Sequence, residues 1–223
     1  MSLTGPQKGA KSGKANSQII FLHGYGADGA DLLGLSDQLG AYLPNTRFLA
    51  PNAPERCINN PMGYQWFPIP WLDGSSEEMA RAGQARAVEA LNAYLDAQFA
   101  EIAPERTVIV GFSQGTMMAL DVLPRRDTAV AGVVGFSGRL LGPEKLAAAA
   151  RVRPPVLLVH GDADQMVPPS SLPEAADALV AAGFETYTHI SKGMGHGIAP
   201  DGLGLCLQFA AQKLGVTLPQ PSN

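Results

Sequence analysis

The fold of this chain is decided by the stretch Val108-Ile109-Val110-Gly111-Phe112-Ser113-Gln114-Gly115-Thr116-Met117-Met118-Ala119-Leu120. A continuous apolar run ends at Gly111, and a helical pattern begins directly after Ser113. In a nucleophile elbow, a serine occupies a sharp strand-to-helix turn, and the flanking glycines let the strand and the helix pack closely around it. The Gly-x-Ser-x-Gly pattern alone is weak in a chain with 25 glycines, and the alternative is that Ser113 only caps a helix. The strand-turn-helix context favours the nucleophile.

Strand and helix patterns alternate on both sides of this stretch. The predicted strands are residues 18–22, 46–50, 107–110, 129–136, 155–160 and 185–190. The predicted helices are residues 29–43, 77–100, 114–123, 143–150, 172–182 and 201–214. The strands read as continuous apolar runs, which is typical of strands buried on both faces. Alternation of this kind predicts a mostly parallel central sheet with helices on both faces, an α/β fold whose chemistry lies at the carboxyl ends of the strands.

The remaining segments suggest the domain boundaries. Residues 1–16 are rich in Gly, Lys and Ser and predict a flexible N-terminal tail, with a short ordered piece left open as an alternative. Residues 17–217 form one predicted domain, and residues 218–223 a C-terminal tail. The segment 51–76 is too long for a plain connection, and we expect it to act as a lid or a pocket wall.

Composition excludes several classes of protein. The chain has 223 residues, which suits one domain, and a net charge of −4 with scattered basic residues, which argues against nucleic-acid binding. No signal peptide is recognisable, and no run approaches the roughly 18 apolar residues of a membrane-spanning helix. We therefore expect a cytoplasmic protein without stable membrane insertion. Cys57 and Cys206 lack metal-ligand spacing, so we expect reduced cysteines and no metal; a disulfide between them is the less favoured alternative.

A nucleophilic serine needs a general base, and the chain offers four histidines. His189 lies inside the last predicted strand and is expected to be a packed or edge residue. His23 and His160 each precede a glycine at a strand end and are expected to organise turns. His196 lies in a glycine-rich loop after the last strand, from which an imidazole can reach over the sheet edge. We therefore predict that His196 is the base.

The base needs an acidic partner that orients it, and Asp162 and Asp164 both follow the strand that ends near residue 160. An aspartate directly after a strand often bonds to its own backbone, so Asp162 is expected to cap the turn. Asp164 lies further out and is the predicted partner of His196. The order Ser113, Asp164, His196 along the chain is the one expected for α/β-hydrolases.

Two backbone N–H groups are expected to bind the developing oxyanion. One is that of Gln114, directly after the nucleophile, and the other is that of Tyr25, in the glycine-rich loop 24–29 after the first strand. The alternative is that this loop is a plain glycine turn. We do not predict a nucleotide site in this loop, because the chain has neither Gly-x-Gly-x-x-Gly nor Gly-Lys-Ser/Thr.

Four motifs in this order resemble the phospholipase/carboxylesterase family, which includes acyl-protein thioesterases and lysophospholipases. They are Phe21-Leu22-His23-Gly24-Tyr25-Gly26, Gly111-Phe112-Ser113-Gln114-Gly115, His160-Gly161-Asp162-Ala163-Asp164-Gln165-Met166-Val167-Pro168 and Gly195-His196-Gly197. The resemblance covers about residues 18–214. It implies a compact α/β-hydrolase with a minimal lid and without metal or cofactor. It also implies that Ser113, Asp164 and His196 are catalytic and that Tyr25 and Gln114 supply the oxyanion donors.

The long loop carries a further part of the resemblance. Residues 61–68 match the family's tryptophan-aromatic element beside the acyl site. Residues 69–74 depart from the eukaryotic thioesterase pattern and resemble the bacterial carboxylesterase branch, which argues against depalmitoylation of proteins. Candidate walls of an apolar acyl pocket, each of which has core packing as its alternative role, are Met62, Trp66, Phe67, Met117, Met166 and Ile198.

These observations together predict a serine carboxylesterase that hydrolyses a small-molecule acyl ester of short to medium acyl length through an acyl-serine intermediate. Thioesters and lysophospholipids remain open as substrates. The alternatives are an acyl-protein thioesterase or a serine peptidase that uses the same triad, and, less favoured, a binding protein without catalytic activity. The sequence leaves the oligomeric state open, including a homodimer.

Overall fold

The computed structural model describes residues 3–219. Its strands are β1 (Gln7–Lys8), β2 (Ser17–Leu22), β3 (Thr46–Leu49), β4 (Glu55–Arg56), β5 (Tyr64–Gln65), β6 (Thr107–Phe112), β7 (Gly132–Phe136), β8 (Val156–Gly161) and β9 (Thr186–Ser191). Its helices are α1 (Gly29–Leu33), α2 (Ser36–Tyr42), α3 (Pro70–Asp73), α4 (Glu77–Phe99), α5 (Gln114–Val122), α6 (Pro143–Ala149), α7 (Ser171–Ala181) and α8 (Pro200–Leu214). Two short 3-10 helices cover Pro104–Arg106 and Leu123–Arg125.

Seven strands form the central sheet in the order β1-β3-β2-β6-β7-β8-β9. All neighbours are parallel except β1 and β3, which are antiparallel. Because the register pairs Leu22 with Gly111 and Gly111 with Gly135, β2, β6 and β7 end at the same edge. The predicted mostly parallel sheet of an α/β-hydrolase is confirmed.

Successive residues of the strands pack alternately into two separate apolar cores, one on each face of the sheet. On β2, Ile20 packs into the core shared with α4, α5, α6 and α7, whereas Ile19 and Phe21 pack into the core shared with α1, α2 and α8. This burial on both faces explains why the strands show apolar runs rather than alternation. Helices cover both faces of the sheet, as predicted.

The predicted N-terminal tail needs a correction, because Gln7–Lys8 forms an edge strand on β3. Leu3 is buried, and the carbonyls of Thr4 and Pro6 accept hydrogen bonds from the backbone N–H groups of Asn52 and Ala50. Both strand residues are exposed, so no apolar pattern marked them. At the other end, residues 218 and 219 have no regular secondary structure, and residues 220–223 of the predicted C-terminal tail lie outside the described part of the chain.

The single helix predicted over residues 29–43 is wrong, because two helices, α1 and α2, occupy this segment. Asp28 caps α1 by accepting from the N–H groups of Ala30 (2.8 Å) and Asp31 (3.2 Å). The N–H of Leu35 bonds to the carbonyl of Leu32, three residues back. This tighter turn interrupts the α-helical pattern.

The long segment 51–76 lies over the carboxyl edge of the sheet. It contains the antiparallel hairpin β4–β5 and the four-residue helix α3. A bridge between Ala27 and Tyr64 joins the hairpin to the loop that follows β2. The helix α4 then begins at the cap Ser76, whose hydroxyl accepts from the N–H of Met79. The segment therefore forms part of the wall around the strand ends.

Two further sequence expectations concern cysteines and membranes. Cys57 and Cys206 are both buried and free, so the alternative of a disulfide between them is excluded. Among the helices of residues 3–219, none combines the length and the apolar character that crossing a membrane requires.

Candidate active site

Ser113 occupies the turn between β6 and α5 in a strained backbone conformation, with φ 53° and ψ −114°. Its N–H donates to the carbonyl of Phe136 at 2.8 Å, which fixes the turn against β7. A Cβ atom at Gly115 would lie 1.9 Å from the carbonyl oxygen of Leu22. Only glycine therefore lets α5 approach β2 this closely, which is the role predicted for the second glycine of the motif.

The imidazole of His196 lies within hydrogen-bond distance of the Ser113 hydroxyl, with 3.0 Å between Nε2 and Oγ. Its ring packs against Phe112, with 4.9 Å between the ring centroids. The loop that carries it is held by Asp162, whose carboxylate accepts from the N–H of Gly193 at 2.6 Å. Asp162 was expected to cap its own turn; instead it bonds across to the His196 loop, because the two loops lie side by side after β8 and β9.

Asp164 holds the other side of the His196 ring. Its Oδ2 accepts from Nδ1 at 2.8 Å, and its Oδ1 accepts from the N–H groups of Met166 and Val167, both at 2.9 Å. Burial favours the neutral carboxyl, but the hydrogen bonds from His196 and from the two N–H groups outweigh it and lower the pKa of Asp164. The group is therefore a carboxylate at neutral pH.

These contacts define the protonation of the His196 ring. A carboxylate only accepts hydrogen bonds, so Nδ1 must carry the proton that faces Asp164. In the neutral ring Nε2 is then free to accept the hydrogen of the Ser113 hydroxyl. The structure thus brings together the three side chains that the sequence predicted from distant segments, in the connected order Asp164, His196, Ser113.

A second imidazole contacts the same carboxylate. His160 is buried, and its Nε2 lies 3.0 Å from the carbonyl oxygen of Val167 and 3.3 Å from Oδ2 of Asp164. Both neighbours are acceptors, so Nε2 carries a hydrogen. His160 was predicted only to organise a turn, and its contact with Asp164 was missed. The only sequence signal for this contact is that Asp164 follows four residues after His160, at the end of a strand.

The two other histidines, His23 and His189, have hydrogen-bond partners outside the set Ser113, His196 and Asp164. Burial lowers the pKa of His23, so its ring is neutral; Nδ1 donates to the carbonyl of Gly24 and Nε2 accepts from the N–H of Ala53. His189, on the edge strand β9, pairs with Asp201 at 2.7 Å. Ser137, in the near-copy of the elbow motif, also has a positive φ of 46° but is buried at the end of β7.

Several backbone N–H groups near Ser113 have no acceptor among residues 3–219: those of Gly115 and Thr116 in the first turn of α5, and those of two further residues, Tyr25 and Gln114. The last two are the groups predicted from the sequence as oxyanion donors. The Tyr25 hydroxyl donates to Asp73 at 3.0 Å, and Asp73 also accepts from the N–H of Ile69 at 2.7 Å. Asp73 thereby joins the loop 24–29, the predicted oxyanion loop, to α3. No sequence pattern indicates this link, because its partners lie 48 residues apart.

The side chain of Gln114 holds the wall beside the elbow. Its amide oxygen accepts from the N–H of Trp66 at 2.8 Å, and its amide nitrogen donates to the carbonyl of Phe67 at 2.7 Å. Trp66 was predicted as a pocket wall, but it is fully buried and its indole N–H donates to the carbonyl of His23. It therefore supports the oxyanion loop from below.

A cavity of about 480 Å³ adjoins these residues. Its lining includes Phe67, Met117 and Met166 from the predicted set, together with Ile69 and Leu141. Neither Trp66 nor the two remaining predicted residues, Met62 and Ile198, contribute to this lining. Met62 is 83% exposed, at the tip of the hairpin β4–β5. Ile198 packs against the core that is shared with α1, α2 and α8. Hydrophobic residue type alone did not distinguish a pocket wall from surface or core.

Known proteins resemble this chain over nearly its whole length. A family model described as phospholipase/carboxylesterase matches residues 7–214. The crystal structure of esterase PE8 has 42% sequence identity and a TM-score of 0.90, and the match covers 96% of this chain and 100% of that chain. Acyl-protein thioesterase 1 homolog 1 of Dictyostelium discoideum is 27% identical, over 89% of this chain and 91% of the relative. Esterase YpfH of Escherichia coli (strain K12) is 24% identical, over 92% of this chain and 85% of the relative.

Proposed function

Because this chain belongs to the phospholipase/carboxylesterase family and is therefore a serine hydrolase of ester or thioester bonds, we propose that it is a carboxylesterase that works through an acyl-Ser113 intermediate. The observation that carries the proposal is the continuous hydrogen-bonded chain from Asp164 through His196 to Ser113, with contacts of 2.8 Å and 3.0 Å. A hydroxyl is a weak nucleophile unless an adjacent base removes its proton. This chain of contacts supplies that base in the required tautomer.

In the first step, Oγ of Ser113 attacks the ester carbonyl while Nε2 of His196 takes the hydroxyl proton. Asp164 stabilises the imidazolium that forms, because its carboxylate is fixed by three hydrogen bonds and lies next to Nδ1. The protonated His196 then gives its proton to the leaving alcohol, and the carbon–oxygen bond to that alcohol breaks. The acyl group remains on Ser113.

The carbonyl oxygen becomes negative during this attack, and the unpaired N–H groups of Tyr25 and Gln114 are the proposed donors to it. The N–H of Gln114 begins α5, where the helix dipole also favours a negative charge. The loss of one such donor costs on the order of 10² to 10³ in turnover. In the second step, water activated by His196 attacks the acyl-Ser113 carbonyl through the same oxyanion site and releases the acid.

The proposed substrate is a small-molecule ester with a short to medium acyl group. Support comes from the cavity, whose walls include the apolar side chains of Phe67, Ile69, Met117 and Leu141. Met117 lies one turn after Ser113 on α5, and its N–H bonds to the Ser113 carbonyl. The cavity therefore begins beside the nucleophile, and an apolar chain that enters it gains from burial.

An acyl-protein thioesterase is the second candidate, because relatives with that name match most of the chain. Thioester and oxygen ester follow the same two steps with the same three residues. Comparison of kcat/KM for matched p-nitrophenyl esters and acyl thioesters separates the two, and a preference for the thioester would replace the first candidate with the second.

Labelling with a fluorophosphonate tests the assignment of the nucleophile. We expect the parent protein to react and the Ser113→Ala variant not to react. The control is Ser137→Ala, which removes a serine with a similar positive φ from the neighbouring strand end. Labelling that persists in Ser113→Ala would refute the proposed nucleophile. An acyl-length series of p-nitrophenyl esters then tests the pocket, and equal kcat/KM for all lengths would contradict an acyl-binding role for the cavity.

A further inference from the structure

Two arginines differ from all others in the chain. Neither Arg81 nor Arg139 donates a hydrogen bond or forms an ion pair within residues 3–219. Each of the other arginines does one or the other: Arg47, Arg56, Arg86, Arg106, Arg125, Arg126, Arg151 and Arg153. A guanidinium group without a partner is common on a protein surface. These two differ because both of them line the same cavity, which suggests a shared role.

Both residues line the cavity of about 480 Å³, whose lining also includes Met117, the residue that bonds through its N–H to the carbonyl of Ser113. Arg81 reaches the cavity from the first turns of α4, and Arg139 from the loop that follows β7. The cavity has one other charged residue in its lining, Glu77, which lies one turn before Arg81 and forms no ion pair with it or with any other described residue. The wall therefore carries two positive charges against one negative charge, in a chain whose net charge is −4.

The uncharged lining residues are mostly apolar, and three of them bond to the proposed catalytic residues or their neighbour Gln114. Met117 bonds through its N–H to Ser113, Phe67 is held by Gln114, and Val167 is held by Asp164. A substrate arm that leaves Ser113 along Met117 would therefore meet apolar side chains and both arginines in the same cavity. Guanidinium groups bind carboxylates and phosphates in a planar, two-point geometry. A purely hydrocarbon substrate would leave both of them unused.

We propose that the cavity selects esters in which one arm carries an anionic group, a carboxylate or a phosphate, bound by Arg81 and Arg139. The proposal rests on the carboxylesterase function given above and narrows its substrate class. The apolar lining residues bind the hydrocarbon part of the arm, and the arginines bind its charged end.

Two pairs of substrates test the proposal, one for each arm of the ester. The first pair is p-nitrophenyl hexanoate and the mono-p-nitrophenyl ester of adipic acid, which have the same acyl length and differ in a terminal carboxylate. The second pair is phenyl butanoate and its analogue with a phosphate in the para position of the phenyl ring. The measured quantity is the ratio of kcat/KM for the anionic ester to kcat/KM for its neutral partner.

In the double variant Arg81→Gln/Arg139→Gln this ratio should fall roughly tenfold or more for at least one pair, as expected for the loss of charge-assisted hydrogen bonds. The hydrolysis of the neutral esters should change by about twofold or less. The matched control is Arg86→Gln/Arg151→Gln, which removes the same charge from α4 and from the surface but not from the cavity. An unchanged ratio for both pairs, or an equal fall in the control, would overturn the proposal.

Binding without turnover separates this proposal from the carboxylesterase function. Adipate and phenyl phosphate should bind to Ser113→Ala, and the binding should weaken roughly tenfold when Arg81→Gln/Arg139→Gln is added. If neither anion responds to the arginine substitutions, the anionic subsite is wrong whatever the esterase activity. If the parent protein hydrolyses no ester but the anions respond, the esterase function is wrong and the subsite stands.

Discussion

The substitution Asp164→Asn isolates the protonation of His196 from the geometry of the site. Oδ1 of Asp164 accepts from two backbone N–H groups, so the amide oxygen of an asparagine must take this position to keep both bonds. The amide nitrogen then occupies the position of Oδ2, 2.8 Å from Nδ1 of His196 and 3.3 Å from Nε2 of His160, which keeps the carbonyl of Val167 as its acceptor. The amide nitrogen donates, so Nδ1 of His196 must accept and lose its proton.

The proton of the ring then lies on Nε2, which faces Oγ of Ser113 at 3.0 Å. In this tautomer Nε2 donates to the hydroxyl and can no longer take its hydrogen. We therefore expect kcat to fall on the order of 10⁴-fold, which corresponds to roughly 5 kcal/mol of transition-state stabilisation at 1.36 kcal/mol per tenfold. The retained backbone bonds predict a folded variant with parent-like near-ultraviolet circular dichroism.

Steady-state hydrolysis of p-nitrophenyl butyrate near pH 7.5 gives the measurement. Asp162→Asn is the matched control, because the oxygen of an asparagine can still accept from Gly193, and its kcat should stay within about threefold of the parent. A folded Asp164→Asn variant with kcat within about tenfold of the parent would refute the tautomer argument. A loss of equal size in Asp162→Asn would show that loop position, rather than protonation, limits the rate.

Three further predictions concern other parts of the site. Tyr25→Phe removes the hydroxyl that bonds to Asp73, so we expect kcat to fall by about tenfold with little change in KM, because a shifted N–H binds the oxyanion less well; steady-state kinetics would contradict this if KM alone changed. The pKa of Asp164 lies below its ordinary 3.8, so the stability that this group adds is present above pH 3.8 and is lost as pH falls through the lowered pKa. Urea unfolding should show that the difference in unfolding free energy between the parent and Asp164→Asn shrinks as pH falls below 3.8. Gly115→Ala places a Cβ 1.9 Å from a backbone carbonyl of β2, whereas Gly204→Ala on α8 meets nothing within 4 Å; thermal unfolding should show the first variant strongly destabilised and the second stabilised by about 0.5–1 kcal/mol.

The sequence allowed the sheet and the three connected side chains to be predicted because each signal was local. Apolar runs mark strands that are buried on both faces, and Ser113 and His196 each lie in a glycine-rich turn just after such a run. In a parallel sheet these turns come to the same edge. The choice of Asp164 over Asp162 also agrees with the contacts, since Asp164 bonds to His196 and Asp162 bonds to Gly193.

The pocket was less predictable because its walls depend on contacts between distant segments. Trp66 and Phe67 are positioned by the side chain of Gln114, 48 and 47 residues away. The hydrophobic periodicity of the sequence does not reveal hydrogen bonds between distant segments. It also does not distinguish a tryptophan in the core from a phenylalanine in a pocket wall. The strand β1 escaped prediction for a different reason: it has two exposed residues and is held by backbone hydrogen bonds, which any sequence can make.

The two roles of Gln114 have a consequence for redesigning this enzyme. Its backbone N–H is a proposed donor to the oxyanion, while its side chain fixes the segment of Trp66 and Phe67 by two hydrogen bonds. A larger or smaller side chain at position 67 would therefore shift Gln114 as well. A substitution at Phe67 that alters substrate selectivity would also alter turnover. Arg139 has no hydrogen bond or ion pair with other described residues. Substitutions at this position could therefore change the range of substrates without displacing the residues around Ser113.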